Sequence, residues 1–507
     1  MKFKALLVLP LLTLLSVDVI SQNLTDALRY SQLLSGGSAR VLGAGGSFGS
    51  LGGDFGVTSL NVAGLADYRS KELMVTLSYN QANTSTSIGS DVVGENNDGR
   101  EVILEAISYV SHSKPYYSES LVTSNFGIGL IQLANFNQTF SFDAQTQGSI
   151  VEEWAAGANA NFFGPFDEGL AEEAGAIYFE PAVDSYTHDY ATGIFDQDGE
   201  LVALDNQIAE TVAKEQVVER SGSVNELVAA WAGKFRSGIN VGIGLGLPFV
   251  SFTEDKFYEE NDLTDFAGFN QLNFNESFTT SGVGVNLKLG VGYTIARQIR
   301  LGVGYQTPTF FRLDDAFLTS IVYDCDLCLD PNALNESPDG SSDYRLRTPM
   351  RTTFSIGYLL NRSKVKGFLN VDLQRIDYTS NSFNFTFDNN DPGEQAFQDQ
   401  VNGEIENELR PTYNILLGGE LVYGKWRVRG GTALIASPFF FDEGVYDTVI
   451  SGGLGYRLNK VFFDLSAQFR NITEGYTPYT TFGGTPALPL QTTSDLIKVA
   501  LTMGIKL

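Results

Sequence analysis

The sequence predicts an all-β protein: a fourteen-stranded antiparallel transmembrane β-barrel with an N-terminal hatch, or plug, in its lumen. Three observations predict this fold. An apolar leader opens the chain, many segments alternate apolar and polar residues with a period of two, and tight turns alternate with long acidic loops. After the leader no stretch holds eighteen consecutive apolar residues, so the sequence excludes membrane-spanning helices.

The first 21 residues have the features of a secretory signal peptide. Lys2 and Lys4 precede an apolar run over residues 5–15, and a cleavage site is expected between Ser21 and Gln22. We therefore expect an exported chain whose mature part consists of a hatch over residues 22–70 and a barrel over residues 71–507.

The clearest strand lies at the C-terminus. From Ile497 to Leu507 every second residue is apolar, and the residues between them include Lys498 and Lys506. This pattern is typical of a barrel strand with one face on lipid and the other on the lumen. Along the whole chain it predicts strands over residues 71–82, 101–111, 121–137, 225–236, 238–252, 271–296, 299–312, 344–361, 364–379, 407–423, 426–437, 447–457, 460–471 and 494–507.

Two kinds of connection separate these strands. Tight turns alternate with long loops, and the four longest loops hold 37 of the 60 acidic residues but only three basic ones. Arginine and lysine cluster instead at the tight turns. Because outer-membrane barrels have short periplasmic turns and long external loops, the acidic end is assigned to the cell exterior. The long loops are predicted over residues 138–224, 253–270, 313–343 and 380–406.

Charge and cysteine content limit the possible partners. A formal charge of −27 argues against nucleic acid, since phosphate binding needs clustered lysine and arginine. The two cysteines, Cys325 and Cys328, lie in an acidic loop, where a disulfide is expected in an exported chain. Free thiols and weak metal binding are the alternatives, and two thiols alone make an incomplete zinc site. We predict no metal site and no cofactor.

A glycine-rich segment lies between the cleavage site and the first strand. It runs from Gly36-Gly-Ser-Ala-Arg40 through a glycine-rich turn to Gly52-Gly-Asp54 and Asn61-Val-Ala-Gly-Leu65. It is too apolar for a disordered tail, and fourteen strands enclose a lumen wider than side chains alone can fill. We therefore expect it to plug the barrel. The predicted hatch residues are Gly43, Gly45, Gly46, Asp54, Asn61 and Ala63.

This order of motifs resembles the hatch of the FadL family, fourteen-stranded outer-membrane channels for long-chain fatty acids and other hydrophobic molecules that include the TodX-type hydrocarbon porins. Further segments are similar to the family's strand motifs, so the resemblance covers nearly all of the mature chain. It implies contact with outer-membrane lipid, and Gln22 and the acidic inserts are similar to members from the Bacteroidetes. The similar segments are Tyr305–Phe311, Leu346–Arg351, Asn370–Tyr378, Val428–Gly431 and Ser437-Pro438.

One hatch position departs from the family pattern. The family carries Asn-Pro-Ala, whereas this chain has Asn61-Val62-Ala63. Proline fixes φ and removes a backbone donor, so valine is expected to leave the hatch conformation and its gating less constrained.

Gly45-Gly-Ser47-Phe-Gly49 matches the nucleophile-elbow pattern of hydrolases. That motif also needs a strand-to-helix turn, a histidine and an acid nearby. The two histidines, His112 and His188, are expected near a periplasmic turn and in the longest loop. A glycine-rich hatch turn is the better interpretation, and we predict that the protein is not an enzyme.

Inward cations are candidates for binding the carboxylate of a ligand. Three arginines share one parity of their predicted strand, and an arginine ladder would hold a fatty-acid carboxylate in bidentate contacts. The alternative is an internal network of ion pairs with inward acids such as Asp372 and Glu420, since buried charges are normally paired. The candidate cations are Arg345, Arg347, Arg351 and Lys288.

The third predicted strand changes parity partway along. Apolar residues occupy even positions up to Leu130 and odd positions from Ile131, which indicates a bulge or kink near this pair. Gly127 and Gly129 would ease a bend. In the FadL family a kink in this strand opens a lateral window toward the bilayer, and an ordinary bulge is the alternative interpretation.

Aromatic residues crowd the predicted outer rim. They are candidates for a hydrophobic landing groove, although girdles at the membrane interface use the same residue types. The rim aromatics are Trp154, Phe162, Phe163, Phe166, Phe310, Phe311, Phe439, Phe440 and Phe441. Of these, the residues taken as candidate ligand contacts are Phe162, Phe163, Phe166, Phe310 and Phe311.

The sequence and the resemblance therefore predict passive uptake of long-chain fatty acids or other hydrophobic small molecules across the outer membrane. The ligand would touch apolar loop residues, enter a lumenal pocket, shift the hatch and leave sideways near the third strand. The rival hypothesis is a FadL-like barrel that serves as a subunit of an envelope complex, such as a secretion machine, and binds a protein partner. The insert over residues 138–224, with a helix-like stretch at Asp205–Glu219, would suit such docking.

Overall fold

The computed structural model describes residues 24–507 except residues 35, 116, 117, 119, 161, 209–210, 264–268, 327–332, 362–365, 386–391 and 481–486, and the predicted signal peptide lies outside the described residues. Within these residues fourteen antiparallel strands form one barrel. They are β1 (Glu72–Ile88), β2 (Asp91–Ser113), β3 (Leu121–Asn135 and Gln138–Gln147), β4 (Thr211–Phe235), β5 (Ile239–Asp262), β6 (Phe269–Ile295), β7 (Ile299–Gln306 and Phe310–Cys325), β8 (Gly340–Arg347 and Arg351–Asn361), β9 (Lys366–Asp377), β10 (Pro411–Tyr423), β11 (Trp426–Ala436), β12 (Tyr446–Arg457), β13 (Val461–Tyr476) and β14 (Leu490–Lys506).

The barrel closes between its first and last strands. β1 pairs with β14 from Glu72 opposite Lys506 to Ser87 opposite Gln491, and its other edge pairs with β2. Closure lets the strands at the two ends of the sheet satisfy each other's backbone hydrogen bonds, which lipid cannot do. The predicted fold, a fourteen-stranded barrel with an N-terminal hatch, is confirmed.

Side chains alternate between the outside and the lumen along each strand. On β14, Leu501 and Met503 are exposed, whereas the alternate residues Ala500 and Thr502 are fully buried. The other strands repeat this pattern, so an apolar band surrounds the barrel, as expected for a protein whose outer surface is solvated by hydrocarbon. This outer surface is that of an integral outer-membrane protein.

The strands extend beyond the predicted ones on the acidic side. β4 begins at Thr211 and pairs there with β3 and β5, so the helix predicted over Asp205–Glu219 is wrong. β3 continues to Gln147 and β5 to Asp262, which shortens the loops predicted over residues 138–224 and 253–270. On this side of the barrel polar residues occur on both faces of a strand, as inward Lys214 and Gln216 and outward Glu215 show, so the alternation that revealed the spanning parts is weaker there.

The N-terminal segment lies inside the barrel, where it forms the hatch. It contains α1 (Leu24–Arg29), α2 (Ala39–Leu42) and two 3-10 helices, Phe55–Ser59 and Val62–Asp67. Glycines on the lumen face of the wall make room for it. A Cβ on Gly304 would lie 1.8 Å from the carbonyl oxygen of Leu60, and one on Gly418 would lie 2.1 Å from that of Ala44.

Residues 148–208, apart from residue 161, form a cap at the outer mouth. The cap contains α3 (Ile150–Asn159), α4 (Glu168–Glu173) and two short hairpins, Tyr178–Glu180 with Ser185–Thr187 and Thr192–Phe195 with Leu201–Asp205. Its buried side chains, Trp154 and Leu170 among them, pack with Phe274 of β6 and Ile321 of β7. The long strands thus carry a folded cap rather than a flexible loop.

One more helix lies in the loop predicted over residues 380–406. α5 (Pro392–Glu408) places Val401 and Ile405 in a buried cluster with hatch residues. Short strands at Asn335–Glu336 and Ser382–Asn384 and 3-10 helices at Tyr378–Ser380 and Phe440–Asp442 complete the described rim. None of the helices in the described part of the chain is long and apolar enough to cross a membrane.

Candidate functional site

β2 and β3 separate partway up the barrel wall. They pair along residues 106–113 of β2, and among the described residues the last pair is Ala106 opposite Ile131. Each strand carries a bulge at this height: Glu105 is an extra residue in β2 relative to β1, and the register of β3 against β4 shifts at Leu133. Because a bulge bends its strand, two facing bulges turn β2 toward β1 and β3 toward β4.

A cavity of about 500 Å³ lies in the resulting gap. Above it the strands approach again, where the side-chain amide of Asn96 donates to Ser141 Oγ at 2.8 Å. We call the gap and its cavity the lateral window. Its polar lining residues are Glu101, Gln132, Asn135, Asn137, Ser223 and Asn225, and its apolar ones are Ile103, Leu104, Leu130 and Phe249.

Of the predicted kink residues, Leu130 lines the window, and the others pair with β2 just below it. Leu130 is half-buried on the outer face and Ile131 is buried on the lumen face, so the strand alternates regularly through this pair. The register shift comes two residues later, at Leu133, and the bulge predicted at Leu130–Ile131 is therefore displaced to that residue. Gly127 and Gly129 pair regularly and do not bend the strand. Instead they make room for the hatch, since a Cβ on Gly129 would lie 2.6 Å from the ring of Phe55.

Sequence reasoning missed the polar lining of the window. Glu101 Oε2 accepts a hydrogen bond from Asn135 Nδ2 at 3.1 Å and another from Asn137. Asn137 Oδ1 in turn accepts from the backbone of Gly222 on β4. The signal that was available is Asn135-Phe136-Asn137, since two asparagines within a strand are unfavourable and mark an interruption.

The hatch runs directly behind the window. The backbone N–H of Leu34 donates to the carbonyl oxygen of Leu133 at 3.2 Å. A Cβ on Gly36 would lie 1.9 Å from the carbonyl oxygen of Gln132, so only glycine allows this approach. Residues 31–34 and 36, which we call the gate segment, therefore separate the window from the lumen.

Above the gate segment the lumen is filled with apolar side chains, which we call the lumen cluster. Phe136 packs edge-on against Tyr30, with ring centroids 6.3 Å apart, and against Phe252 at 5.4 Å. The cluster continues to the far wall and to α5. Its further members include Ile131, Leu133, Phe311, Leu313, Tyr344, Leu346, Phe383, Val401 and Ile405.

Arg351 points into the lumen, as predicted, but it holds the gate segment. Its guanidinium donates to the carbonyl oxygen of Leu33 at 2.7 Å and to that of Ser31. The predicted alternative partners lie elsewhere. Asp372 accepts from the backbone of Gly49 at 3.2 Å, and Glu420 pairs with Arg40 and Arg429.

The predicted inward orientation of Arg345 and Arg347 is wrong. Both side chains are exposed on the outer face, and Tyr344 and Leu346 are the buried residues of that part of β8. The strand is interrupted at residues 348–350, opposite a matching interruption at residues 307–309 of β7, and the inward parity changes across it. A single parity drawn through Pro349 therefore assigned these two arginines to the wrong face.

Lys288 lies in the barrel wall and is fully engaged. Its Nζ is 3.0 Å from the carboxylate of Glu226 and donates to Gln306 at 2.8 Å. Lys288 is thus part of an internal ion pair, which is the alternative interpretation given above. A small cavity beside Lys288 is also lined by Arg351.

The predicted hatch residues occupy turns and caps. Asn61 Oδ1 accepts from the backbone of Ala63, and its Nδ2 donates to the carbonyl oxygens of Gly49 and Val291. Asp54 caps the first 3-10 helix by accepting from Gly56 and from Ser38. Gly43 ends α2, and Gly45 and Gly46 have φ values of +67° and +72° that suit glycine. Asn61 thus shapes the turn that lacks proline.

Ser47 lies in a buried hatch turn. Its hydroxyl contacts the carbonyl oxygens of Asn370 and Leu416, both at 3.2 Å. His112 is bonded to Asn125, and His188 to the carbonyl oxygen of Asn206 in the cap. The residues of the apparent nucleophile elbow are therefore part of the contact between hatch and barrel.

The predicted aromatic contacts do not form one groove. Phe162 and Phe163 are exposed on the cap, whereas Phe166 packs on Phe317 with ring centroids 4.7 Å apart. Phe310 is 56% exposed on the outer face, so its predicted place in a ligand groove is wrong, while Phe311 is 2% exposed and belongs to the lumen cluster. Phe310 thus suits the girdle that was the alternative interpretation.

The predicted disulfide falls at the edge of the described region. Cys325 ends β7, and Cys328 lies outside the described residues. The pairing of the two cysteines therefore stays a prediction.

Comparison with known proteins gives matches among solved structures. No protein-family model matches the chain, and no curated protein matches it. A FadL homologue from Pseudomonas aeruginosa matches with a TM-score of 0.54 at 11% sequence identity. The match covers 94% of this chain and 99% of the homologue's chain. The toluene transporter TodX of P. putida has a TM-score of 0.52 at 12% identity, with 94% and 99% covered.

A third solved structure is the toluene transporter TbuX of Ralstonia pickettii, with a TM-score of 0.50 at 12% identity, 93% of this chain and 99% of that chain being covered. At these identities the likeness concerns the fold. Over nearly its whole length, the chain has the barrel fold of the FadL, TodX and TbuX transporters.

Proposed function

We propose that the protein is a passive channel of the bacterial outer membrane that takes up hydrophobic small molecules and releases them sideways through the lateral window. The observation that carries this proposal is the interruption between β2 and β3, with a cavity in the wall and the lumen cluster behind it. Leu104 and Phe249 at the window are exposed on the lipid side. A hydrophobic solute leaving there passes from an apolar lumen into the bilayer without crossing water.

The gate segment is the moving part in this proposal. It lies between the lumen cluster and the window. Its described anchors include the bond from Leu34 to Leu133, the two bonds from Arg351, and a bond of 3.4 Å from Asn381 Nδ2 to Ser31 Oγ. A solute that replaces the packing of Tyr30 and Leu33 against the cluster would free the segment. The ligand's concentration and its partition into lipid then drive the flow, and no energy source is needed.

The test is uptake by the full-length barrel reconstituted in liposomes. Labelled toluene and a labelled long-chain alcohol should enter faster than into barrel-free liposomes. Ser223→Trp, which fills the window, should abolish the difference, whereas Val92→Trp on the exposed face of β2 should leave it unchanged. Equal uptake with and without barrel would refute transport, and unchanged uptake by Ser223→Trp would refute the lateral route.

The cap favours a second candidate function, docking of an envelope protein. Phe163 and Phe179 pack on Tyr186 and are exposed, as are Phe162 and Tyr178. Residues 148–210 of the sequence contain no lysine or arginine. Purification in mild detergent separates the two candidates. A stoichiometric partner that is lost when residues 149–208 are replaced by a short linker supports docking, and a barrel that is pure under the same conditions contradicts it.

A further inference from the structure

We infer that the lateral window is a binding site for neutral amphiphiles whose head group donates hydrogen bonds, such as an alcohol or a primary amide, and that it rejects carboxylates. The inference rests on the proposed function for the ligand's route. The site itself can be measured by binding alone. The inference narrows the proposed substrates from hydrophobic small molecules in general to neutral amphiphiles with a hydrogen-bond donor in the head group.

The charge of the window is set by Glu101. Among the cavity's lining residues it is the charged one, and its described partners are the amides of Asn135 and Asn137 rather than a lysine or arginine. No lysine or arginine among its described partners therefore offsets the negative charge of this carboxylate. An anionic head group would be repelled at this distance, whereas a hydroxyl or amide N–H would be attracted to the carboxylate oxygens.

Gln132 supplies a second, independent acceptor. Its side chain is 6% exposed, it lines the same cavity, and its Oε1 has no hydrogen-bond partner among the described residues. A buried carbonyl oxygen without a donor is unfavourable, and such groups in native proteins usually find a partner in a ligand or water. A head group that donates would satisfy it.

The remaining walls define where the tail lies. Leu104 and Phe249 are exposed toward lipid, and Ile103 and Leu130 are half-buried beside them. A volume of about 500 Å³ lies in the usual range of small-molecule sites. The geometry places the head group at Glu101 and Gln132 and the alkyl tail over the apolar residues, parallel to the lipid chains.

The lumen cations along this route are already engaged. Lys498 is 2.9 Å from Glu105 at the β2 bulge, Lys288 is 3.0 Å from Glu226, and Arg351 is bonded to backbone carbonyls of the gate segment. A carboxylate ligand would have to break one of these contacts. A neutral head group meets no such cost, which agrees with the charge of the window.

Photolabelling of the full-length protein in liposomes tests the inference. Decanol, decanamide and decanoate carrying the same diazirine in the tail are compared at about pH 8, where the carboxylate is ionised. Mass spectrometry then locates the label. We expect alcohol and amide to label the peptides containing Leu104 and Leu130 about tenfold more than decanoate does, because of the like charge of Glu101.

Three variants complete the test, with folding of each barrel checked by its heat-modifiable gel mobility. Glu101→Lys should reverse the preference, and Gln132→Leu should lower labelling by the alcohol and the amide about fivefold, the effect of one lost hydrogen bond. Glu95→Gln, an exposed carboxylate of β2 that does not line the cavity, should change nothing.

Equal labelling by all three head groups, or a preference that survives Glu101→Lys, would overturn the inference. Parallel uptake measurements keep it separate from the proposed function. If labelling follows head-group charge but no solute enters the liposomes, transport fails and the site stands. If hydrocarbons enter but head groups make no difference, transport stands and the site fails.

Discussion

Leu34 and Leu133 are joined by a backbone hydrogen bond of 3.2 Å between the gate segment and the bulge of β3. Leu133 is also the residue at which the register of β3 shifts against β4. The irregularity that opens the wall therefore also supplies a carbonyl oxygen for the hatch, since a bulged residue leaves its backbone groups free of the strand ladder. A movement of the gate segment would therefore break or strain this hydrogen bond to Leu133 at the edge of the window.

Gly36→Ala should loosen the gate segment. Its Cβ would fall 1.9 Å from the carbonyl oxygen of Gln132, which is backbone and has little room to move. Such overpacking costs about 1–3 kcal/mol, so the open fraction should rise at least about fivefold. Hydrogen exchange of residues 31–36 should accelerate, and uptake of a labelled hydrocarbon into proteoliposomes should increase.

Gly403→Ala is the matched control for this substitution. Gly403 lies in α5, where a Cβ would meet no atom within 4 Å, so neither exchange nor uptake should change. Slower hydrogen exchange of the gate segment in Gly36→Ala would contradict this prediction. It would show that β3 moves at Gln132 to accommodate the Cβ while the gate segment stays in place.

Arg351→Gln should also release the gate segment, but from the opposite wall. The variant loses charge-assisted bonds to Ser31 and Leu33, each typically worth about 1.5–3 kcal/mol. Exchange of residues 31–34 should rise while the barrel strands stay protected. Arg347→Gln, an exposed arginine of the same strand, should change stability by less than about 0.5 kcal/mol. Equal effects of the two variants would contradict the assigned orientations.

Val62→Pro should stabilise the hatch by about 0.4–1 kcal/mol. Position 62 begins a 3-10 helix, and Asn61 before it is extended with φ −154° and ψ 100°, which suits a residue that precedes proline. The gain comes from the smaller conformational freedom of the unfolded segment. Hydrogen exchange over residues 55–67 should slow.

Val62→Ala separates the effect of proline from the loss of the valine side chain, which is buried. It should speed the same exchange, because it removes apolar contacts without restricting φ. Faster exchange in both variants would show that the turn does not tolerate proline.

His188 should make the cap sensitive to acid. Burial lowers the pKa of His188 to about 4, against the opposing effect of its bond to the carbonyl oxygen of Asn206. Between this value and the unfolded pKa near 6.5, the unfolded cap binds more protons than the folded one. The cap's free energy of unfolding should therefore fall as the pH drops from about 6.5 to about 4, by up to roughly 3 kcal/mol.

The pH effect is measured as hydrogen exchange of residues 185–206, corrected for intrinsic rates. His188→Gln keeps a donor for Asn206 but does not titrate in this range, so the difference between wild type and variant should vanish above about pH 7. A difference that is constant across pH would assign the effect to packing rather than to protonation.

Much of the fold was predictable because the membrane imposes a simple rule on each strand. Alternation with a period of two, tight turns and acidic loops identified the fourteen strands, and the motifs from Gly36 to Leu65 identified the hatch. The cap and the upper strands were not predictable in the same way, because water accepts polar residues on either face. The misassigned helix at Asp205–Glu219 lies in that region.

The sequence by itself determined the barrel, the placement of acidic loops and basic turns at its opposite ends, and the segment that fills it. These features follow from which residues lipid and water accept. Only the tertiary structure decided which face Arg345 and Arg347 take, that Arg351 holds the gate segment, and that Glu101 and Gln132 line a gap in the wall. The physical reason is register: a bulge or a three-residue interruption reverses every side chain beyond it, and where neighbouring strands part is set by their pairing rather than by either strand alone.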